Sequence, residues 1–431
     1  MINKFLDFVK DTPTAFHAAS KFKDILEAND FKELLECEAW RLEPGGKYYI
    51  GRNMSSVVAF VIPTDGAHSY NITAAHLDSP TFKLKPNFEI NRGRYIKFNT
   101  EVYGGPIYNT WMDRPLGIAG RVIVDSEDGV VAKLININEP VVFIPNLPIH
   151  YNRNVNKGVE LNPQIDMIPV FADKNYQDAS LLEIIAKKLN ILEEDIYSMD
   201  LYLTVLDRGC LVGANKEFIM APQIDNLECS YGCIEALINS SNSKSVNICA
   251  LFDNEEIGSG TLQGAAGTML SDILERISLS LGKSKESHLQ MLANSFIISA
   301  DNAQGVHPNH VGRYDETNPC YLNEGIVIKN AARGSYSTDA MSSAYFQKLC
   351  KKANVKYQLN TNRSDVPGGS TLGVVSIKQV SIPSVDIGLA QLAMHSAYET
   401  AGSLDLEYLV SALKEFYSNS LIPSSEKTIK F

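Results

Sequence analysis

Short apolar runs alternate with helix-like segments along much of the chain, and this alternation restricts the possible folds more than any other feature. The predicted strands cover residues 56–62, 70–76, 246–252, 295–301, 372–377 and 385–390. The predicted helices cover 227–240, 268–282, 338–352 and 403–418, in addition to two amphipathic helices at the N-terminus. Such an order is typical of an α/β sandwich with a largely parallel sheet.

The middle of the chain has a different composition. From about Asn91 to Asp207 it offers β-rich pieces, a polar loop around 150–165 and one helix candidate at 178–192. Alternation of strands and helices resumes at about residue 217. We therefore expect a β-rich domain at 91–208 inserted into a discontinuous α/β domain made of 1–90 and 209–431.

Charge and composition exclude several classes of partner. The formal net charge of −11 argues against nucleic acid and anionic membrane, both of which require a basic face. No apolar stretch approaches the roughly 20 residues needed to span a bilayer. Seven dispersed cysteines without a CxxC motif favour buried thiols in a reducing compartment. The chain is therefore expected to be a cytoplasmic protein, and its N-terminus reads as mature sequence.

The run FDNEEIGSG at 252–260 follows the strand candidate and ends in a glycine-rich turn. It places Glu255 and Glu256 next to each other where the strand ends. Neighbouring side chains of an extended segment point to opposite sides. One glutamate can therefore bind a metal ion while the other remains free as a general base, which is the division of labour in a dinuclear zinc hydrolase.

Other acids and histidines fall at or near the carboxyl ends of predicted strands or, for Asp225, just before a predicted helix. They are His76 and Asp78 in TAAHLDSP, Asp225 in APQIDNL, Asp301 in SADNA and His395 in AMHSA. Ligands of open α/β sheets bind in the crevice beyond these strand ends. Taken singly, Asp225 is equally typical of a helix N-cap and Asp301 of a turn. Together the five elements predict a metallohydrolase with a two-zinc site.

Six segments carry a resemblance to a known family. TAAHLDSP, APQIDNL, ALFDNEEIGS, SADNAQGVHPNH, SDVPGGSTLG and AMHSAYETAG, in this order, resemble the aspartyl aminopeptidases, a dinuclear zinc exopeptidase family that includes vacuolar aminopeptidase I. The resemblance extends from residue 12 to residue 399 and suggests a bacterial-type member. It implies a three-layer α/β sandwich, a zinc-exopeptidase catalytic domain interrupted by a β-rich dimerisation domain, with dimers assembled into a dodecamer.

The resemblance also implies a role for individual residues. His76 and Asp301 would hold one zinc ion, Glu256 and His395 the second, and Asp225 would bridge the two. Glu255 would be the general base, and Asp78 would orient His76. His150, in IPNLPIHYNR, would reach into the active site of a neighbouring protomer. The implied substrate-binding residues are Lys329, Tyr336 and His307.

The expected reaction is removal of the N-terminal residue, preferably Asp or Glu, from peptides with a free α-amine. A zinc aminopeptidase that prefers neutral residues, and a carboxypeptidase or deacylase on the same scaffold, are the alternative enzymes. A structural assembly without activity is the non-enzymatic alternative. The same ligands would also accept cobalt or manganese in place of the two zinc ions.

Overall fold

The computed structural model of the chain describes residues 1–176, 179–241, 244–421 and 428–430. Its α-helices within these ranges are α1 (Ile2–Asp11), α2 (Ala15–Glu27), α3 (Leu181–Leu189), α4 (Ile224–Ile238), α5 (Met269–Ser280), α6 (Lys285–Ala293), α7 (Ala340–Lys352), α8 (Leu372–Val380) and α9 (Asp405–Ser418). The helix predicted at 178–192 is α3, and residue 178 lies outside the described ranges.

The strands form three sheets. In chain order they are β1 (Lys32–Glu33), β2 (Lys47–Arg52), β3 (Ser56–Val61), β4 (Ser69–His76), β5 (Thr81–Ile90), β6 (Tyr95–Tyr103), β7 (Leu116–Ser126), β8 (Gly129–Val142), β9 (Val170–Asp173), β10 (Ile196–Val205), β11 (Cys210–Val212), β12 (Phe218–Ala221), β13 (Ser245–Phe252), β14 (Phe296–Ala300), β15 (Ala303–Gln304), β16 (Ile326–Asn330), β17 (Tyr357–Thr361), β18 (Ser384–Gly388), β19 (Ala390–Leu392) and β20 (Glu399–Gly402).

The largest sheet has nine strands in the order β1-β2-β3-β13-β4-β14-β18-β16-β17. Its central neighbours β13, β4, β14 and β18 are all parallel. Strands β13 and β4 are buried along their whole length, as parallel strands covered on both faces are. The mixed α/β fold predicted from the alternation of apolar runs is therefore confirmed.

Apolar cores lie on both faces of this sheet. One core joins side chains of the sheet to those of α1, α2, α4, α7 and α9. The other joins the opposite face to α5, α6 and α8. Successive side chains of a strand alternate between faces, so Ala75 belongs to the first core and Ala74 to the second. Helix packing thus fixes the central strands from both sides and makes their carboxyl ends a rigid edge.

The middle of the chain forms a separate six-stranded sheet in the order β8-β7-β10-β5-β6-β9, with its own apolar core. Its neighbouring strands are antiparallel throughout. Strand β5 pairs with β6 and β10 in this sheet, so the sheet begins at Thr81 rather than at residue 91. The β-rich run of the sequence corresponds to one structural unit, and its role in dimerisation stays a prediction.

One predicted strand is wrong. Residues 372–377 form the first part of helix α8. Val374 and Val375 favour a strand locally, but Leu372 and Val380 are buried in the second core, where α8 packs against α5. Tertiary packing therefore overrides the local preference of the valines.

A small five-stranded sheet, in the order β11-β12-β20-β19-β15, was not predicted. Its strands have two to four residues, too few for a periodic pattern to reveal them. No helix within the described ranges is long and apolar enough to cross a membrane. The cytoplasmic location stays a prediction.

Candidate metal centre

Acids and histidines from separate strands meet at one edge of the nine-stranded sheet. Strand β4 ends with His76, β14 is followed by Asp301, and β13 runs into the turn that carries Glu255 and Glu256. His395 lies in the turn between β19 and β20 of the small sheet. The parallel arrangement brings these carboxyl ends together, as the positions of the residues in the sequence predicted.

Asp225 lies between the two histidines. Its Oδ1 is 3.5 Å from His76 Nε2, and its Oδ2 is 3.5 Å from His395 Nε2. His395 Nε2 is also 3.5 Å from Glu256 Oε1, and His76 Nε2 is 3.9 Å from Asp301 Oδ2. Each carboxylate oxygen of Asp225 thus faces a different histidine, and each histidine faces a second carboxylate.

These separations fit a divalent metal ion. Ligand atoms bound tetrahedrally to zinc at about 2.0–2.2 Å are about 3.3–3.6 Å apart. Charge-assisted hydrogen bonds are shorter, at about 2.7–2.9 Å. The buried Oδ1 of Asp225 has no hydrogen-bond partner, and one ligand atom from each of His76, Asp225 and Glu256 lies within 4.8 Å of the others. Imidazole and carboxylate are zinc ligands, so the donor set and its spacing are both suitable.

The ionisable groups of this cluster shift one another's pKa values. Burial, together with the charge of Asp225, raises the pKa of Glu256 well above its usual value. Burial also raises the pKa of Asp301, against the effect of Lys329. Burial alone would lower the pKa of His76, but the neighbouring carboxylates of Asp225 and Asp78 raise it. A bound cation would relieve the repulsion among the carboxylates.

Asp78 holds the turn that presents the two glutamates. Its Oδ1 and Oδ2 accept from the backbone N–H groups of Glu255 and Glu256, at 3.1 Å each. His76 Nδ1 is 3.0 Å from the carbonyl oxygen of Asp78 and 3.4 Å from its Oδ1. Asp78 therefore contacts His76 and also fixes both glutamates, and its role in orienting a metal-bound His76 stays a prediction. The sequence analysis missed Tyr103, whose hydroxyl donates to Asp78 Oδ2 at 2.8 Å.

Glu399 is a buried carboxylate beside the cluster, and the sequence analysis missed it as well as Tyr103. Its Oε2 accepts from the backbone N–H of Asp225 at 3.0 Å, and its Oε1 from that of His395 at 2.7 Å. Burial raises the pKa of Glu399 to about 8. His395 has a φ of 69°, a left-handed conformation that is uncommon outside glycine. Glu399 thus fixes the strained turn at His395 and the backbone of Asp225 relative to each other.

A cleft opens beside Asp301. Lys329, which is buried in its wall, donates to Asp301 Oδ1 at 3.2 Å and to the carbonyl oxygen of Asn302 at 2.8 Å. Burial opposes its charge, but Asp301 and Tyr336 raise the pKa of Lys329 above its usual value. The Tyr336 ring, also in the cleft wall, is 5.5 Å from Lys329 Nζ. The amide residues of the cleft are Asn302, Gln304, Asn360 and Asn362.

Residues 8–417 match the family model described as aminopeptidase I zinc metalloprotease (M18). The chain belongs to the M18 family. It is therefore a metallo-aminopeptidase, which is a hydrolase. The match to a family of zinc metalloproteases confirms the resemblance found in the sequence.

Relatives cover almost the whole of this M18 chain. It is 47% identical over 424 residues to the probable M18 family aminopeptidase 2 of Clostridium novyi, with 96% of this chain and 98% of the relative covered. A cryo-EM structure of the Ape4 and Nbr1 complex matches with a TM-score of 0.94 and 33% identity, over 96% of this chain and 85% of that one. The mApe1 dodecamer of S. cerevisiae matches with a TM-score of 0.85 and 28% identity, covering 96% of both chains.

Two of the predicted site residues lie outside this cluster in the single M18 chain. His307 is half-buried, accepts from the backbone N–H of Asn309 at 3.2 Å, and has its ring centroid 4.8 Å from that of His310. His150 lies in an exposed turn of the inserted unit. For His150 the prediction concerned a neighbouring protomer, so the position in one chain is compatible with it and leaves it a prediction.

Proposed function

We propose that this aminopeptidase uses two zinc ions bridged by Asp225. The observation that carries the proposal is that the two oxygens of Asp225 face different histidines at the same distance of 3.5 Å. His76 and Asp301 would complete one site, and His395 and Glu256 the other. Cobalt or manganese would suit the same ligands, because affinity order alone does not select among these metals.

Glu255 is the proposed general base. Burial, with the charges of Asp301, Asp78 and Asp225, raises the pKa of Glu255 to about 7 against the effect of His76. A base with a pKa near the working pH is effective in both directions of proton transfer. Bound zinc would polarise the carbonyl group of the substrate and lower the pKa of a water molecule. Glu255 would take the proton of that water and then deliver it to the leaving amine of the peptide.

Lys329 is the proposed recognition group for an acidic N-terminal side chain. It lies at the wall of the cleft beside Asp301, and amide side chains there could donate further hydrogen bonds to a carboxylate. A neutral side chain would leave the buried ammonium paired only with Asp301 and Asn302. The preference for Asp and Glu follows from this arrangement.

Hydrolysis of Asp-, Glu-, Leu-, Ala- and Lys-aminoacyl chromogenic substrates tests the proposed specificity. N-acetylated forms serve as controls, and each assay is run before and after chelation and after zinc, cobalt or manganese is restored. We expect metal-dependent cleavage of the free Asp and Glu substrates, with the acetylated forms inert. A preference for Leu or Ala would retain the aminopeptidase and refute the acidic preference. Cleavage of the acetylated forms instead would indicate a deacylase.

A Lys329→Met variant tests the recognition group itself. Loss of a charge-assisted contact should lower kcat/KM for the Asp substrate by about tenfold or more relative to the Leu substrate. Because Lys329 also contacts Asp301, zinc content is measured on the same sample. An unchanged Asp-to-Leu ratio in a variant that retains its zinc would eliminate Lys329 as the specificity residue.

We further propose a homo-oligomer in which the inserted unit joins two protomers. Large apolar side chains are exposed in this unit, some of them next to His150 in the sequence, namely Leu147, Ile149 and Tyr151, together with Phe143 and Ile165. An exposed group of apolar residues marks a protein-contact surface. A dodecamer of six such dimers is the proposed assembly, because the related mApe1 structure is a dodecamer. His150 would then polarise the scissile carbonyl in the partner's active site.

Hybrid oligomers distinguish action within one protomer from action across the interface. His150→Ala and Glu255→Gln chains carry different affinity tags, and doubly tagged oligomers are isolated after co-expression. If His150 acts in the partner, a His150→Ala chain next to a Glu255→Gln chain forms one intact site, and activity returns well above that of either homo-oligomer. If the hybrids are as inactive as the homo-oligomers at equal protein mass, the shared site is refuted.

A further inference from the structure

Two segments that are distant in the sequence contribute to the wall of the cleft beside Asp301. The 336–338 segment follows β16 and supplies Tyr336 to the wall. The 369–371 segment leads into α8 and supplies Gly369, Ser370 and Thr371. The position of these two segments relative to each other therefore determines the shape of the cleft.

Both segments are hydrogen-bonded to the same buried acid, Asp386 of β18. Its Oδ2 accepts from the backbone N–H of Ser337 at 2.5 Å and from Ser337 Oγ at 2.7 Å. Its Oδ1 accepts from Thr371 Oγ1 at 2.7 Å. The backbone N–H of Asp386 also donates to Thr338 Oγ1 at 2.9 Å. The two carboxylate oxygens thus bind different segments of the cleft wall.

Asp386 has little freedom to move. Strand β18 lies between β14 and β16 in the nine-stranded sheet. The residue paired with Asp386 in β14 is Ser299, two positions before Asp301, and β16 carries Lys329. On the helix side, a Cβ atom added to Gly373 would lie 2.3 Å from Asp386 Oδ1. The strands that position Asp301 and Lys329 therefore also hold the carboxylate that binds the two segments.

The hydrogen bonds of Asp386 exceed what the start of α8 requires. A carboxylate at the N-terminal end of a helix is favourable, and Thr371 directly precedes α8. An acid that served only this helix end would need donors from the 369–371 segment alone. Asp386 Oδ2 instead accepts from Ser337, on the other segment of the wall. Linking the two segments is therefore a separate task of this side chain.

We propose that Asp386 is a positioning residue for substrate selection, because it fixes the 336–338 and 369–371 segments around the N-terminal side chain of the substrate. This role rests on the proposed entry of that side chain into the cleft beside Asp301. Asp386 does not itself line the cleft. It acts through the neighbours of its hydrogen-bond partners, namely Tyr336, whose ring is 5.5 Å from Lys329 Nζ, and Ser370.

An Asp386→Ala variant tests the proposal, since it removes the acceptor for both segments. The measured quantity is selectivity, the ratio of kcat/KM for the best to the poorest of the Asp-, Glu-, Leu-, Ala- and Lys-aminoacyl substrates. We expect selectivity to fall at least about fivefold in the zinc-loaded variant, because displaced wall segments no longer fit the preferred side chain. Unchanged selectivity with a lower Tm would assign Asp386 a structural role only and overturn the proposal.

The same assay separates this proposal from the proposed acidic preference. A wild type that favours Leu or Ala would refute the preference for Asp and Glu. The selectivity of Asp386→Ala would still report on the two wall segments, because the ratio is defined without reference to which substrate is best.

Asp386→Asn is the conservative variant. Its Oδ1 can accept from Ser337, and its Nδ2 can donate to Thr371 Oγ1, because a hydroxyl serves as either donor or acceptor. Both links to the wall are then retained while the charge is lost. Selectivity should stay within about twofold of the wild type. If Asp386→Asn loses as much selectivity as Asp386→Ala, the charge of Asp386 matters rather than its hydrogen bonds, and the positioning role is refuted.

Asp405→Ala is the matched control. Asp405 is also fully buried, and it accepts from the backbone N–H groups of Asn323 at 2.6 Å and Gly325 at 2.9 Å. None of these three residues lines the cleft. Asp405→Ala should therefore lower the Tm and leave selectivity unchanged. An equal loss of selectivity in Asp405→Ala and Asp386→Ala would indicate a general loosening of the fold and overturn the proposal.

Thr371→Val provides a second test if Asp386→Ala does not fold. The two side chains have similar shape, so the main loss is the hydroxyl that donates to Asp386. Thr371 is only 3% exposed, so the substitution barely changes the surface of the cleft. Selectivity should fall severalfold with unchanged zinc content. Unaltered selectivity in a folded Thr371→Val variant would contradict the link between Asp386 and the 369–371 segment.

Discussion

At the scale of single residues, Glu255 and Glu256 are adjacent but face different surroundings. Glu256 Oε1 lies 3.5 Å from His395 Nε2, whereas no ion-pair contact to a histidine joins Glu255 within the described chain. Glu255→Gln should therefore lower kcat by about 10²–10⁴-fold, because the amide cannot accept the proton. Steady-state kinetics and elemental analysis of the same sample should show lost turnover with retained zinc.

Glu256→Gln is the matched control, since it makes the same chemical change one residue away. It should lose zinc, because an amide is a weaker ligand than a carboxylate. Near wild-type turnover of Glu255→Gln, or full zinc in Glu256→Gln, would contradict the division of labour between them.

The sequence could reveal the candidate metal centre because most of its acids and histidines follow strands, and strand ends in a parallel sheet converge. It could not reveal Tyr103, which reaches Asp78 from the inserted unit, since no local pattern links the two. Glu399 had a faint signal in its spacing of four residues from His395, but its partners are backbone N–H groups. Such partners leave no mark in the amino-acid sequence.

At the scale of elements, the misread strand at 372–377 has a structural cause near the start of α8. A Cβ atom added to Gly373 would collide with the carboxylate of Asp386. That carboxylate accepts from Thr371 Oγ1 at 2.7 Å and from Ser337 Oγ at 2.7 Å. The start of α8 is therefore held by a distant acid, which a local propensity for strand does not register.

Gly373→Ala should destabilise the protein by roughly 1–3 kcal/mol, because the methyl group displaces Asp386 from its partners. Gly369→Ala is the matched control, since a Cβ there would meet no atom within 4 Å and its φ is not positive. Thermal unfolding of both variants measures the difference. Equal Tm values for the two would show that the close approach of α8 to Asp386 carries no energetic weight.

Helix α4 carries a buried acid, Glu228, whose titration should be visible in stability. Burial raises the pKa of Glu228 to about 8, against a hydrogen bond that its Oε2 accepts from Asn302 Nδ2 at 3.1 Å. The folded state therefore favours the protonated acid. Its contribution to stability is complete below the unfolded pKa of about 4.5 and is lost as the pH rises through 8.

Glu228→Gln should abolish this loss, because the amide does not ionise. Between pH 6.5 and pH 9 the wild type should lose roughly 2 kcal/mol of stability relative to the variant, because the loss accumulates up to the folded pKa of about 8 and stops above it. Denaturant unfolding at both pH values measures this. A constant difference between the proteins at the two pH values would assign the effect to packing rather than to ionisation.

At the scale of the whole molecule, the inserted unit has its own sheet and also contributes contacts to the candidate metal centre. Gly105, just beyond β6, contacts His395 through its carbonyl oxygen at 3.1 Å, and Tyr103 contacts Asp78. The composition shift in the sequence located the unit, but its first strand was assigned to the other domain because β5 continues directly from His76 and Asp78. A boundary that runs through an active site has no linker to mark it.

Removal of metal should destabilise the assembled protein, and more so at higher pH. Four carboxylates meet at the candidate metal centre, and without a cation their negative charges repel one another. They belong to Asp225, Glu255, Glu256 and Asp301. Ligand linkage predicts that dialysis against a chelator lowers the Tm by roughly 5 °C or more, and that zinc restores it. Because the pKa of Glu255 is raised to about 7, the metal-free protein loses stability as the pH rises through 7. The gap between zinc-loaded and metal-free Tm should therefore widen from pH 6 to pH 8, and widen less in Glu255→Gln. A gap that is the same at both pH values would show that repulsion among these carboxylates is not what the metal relieves.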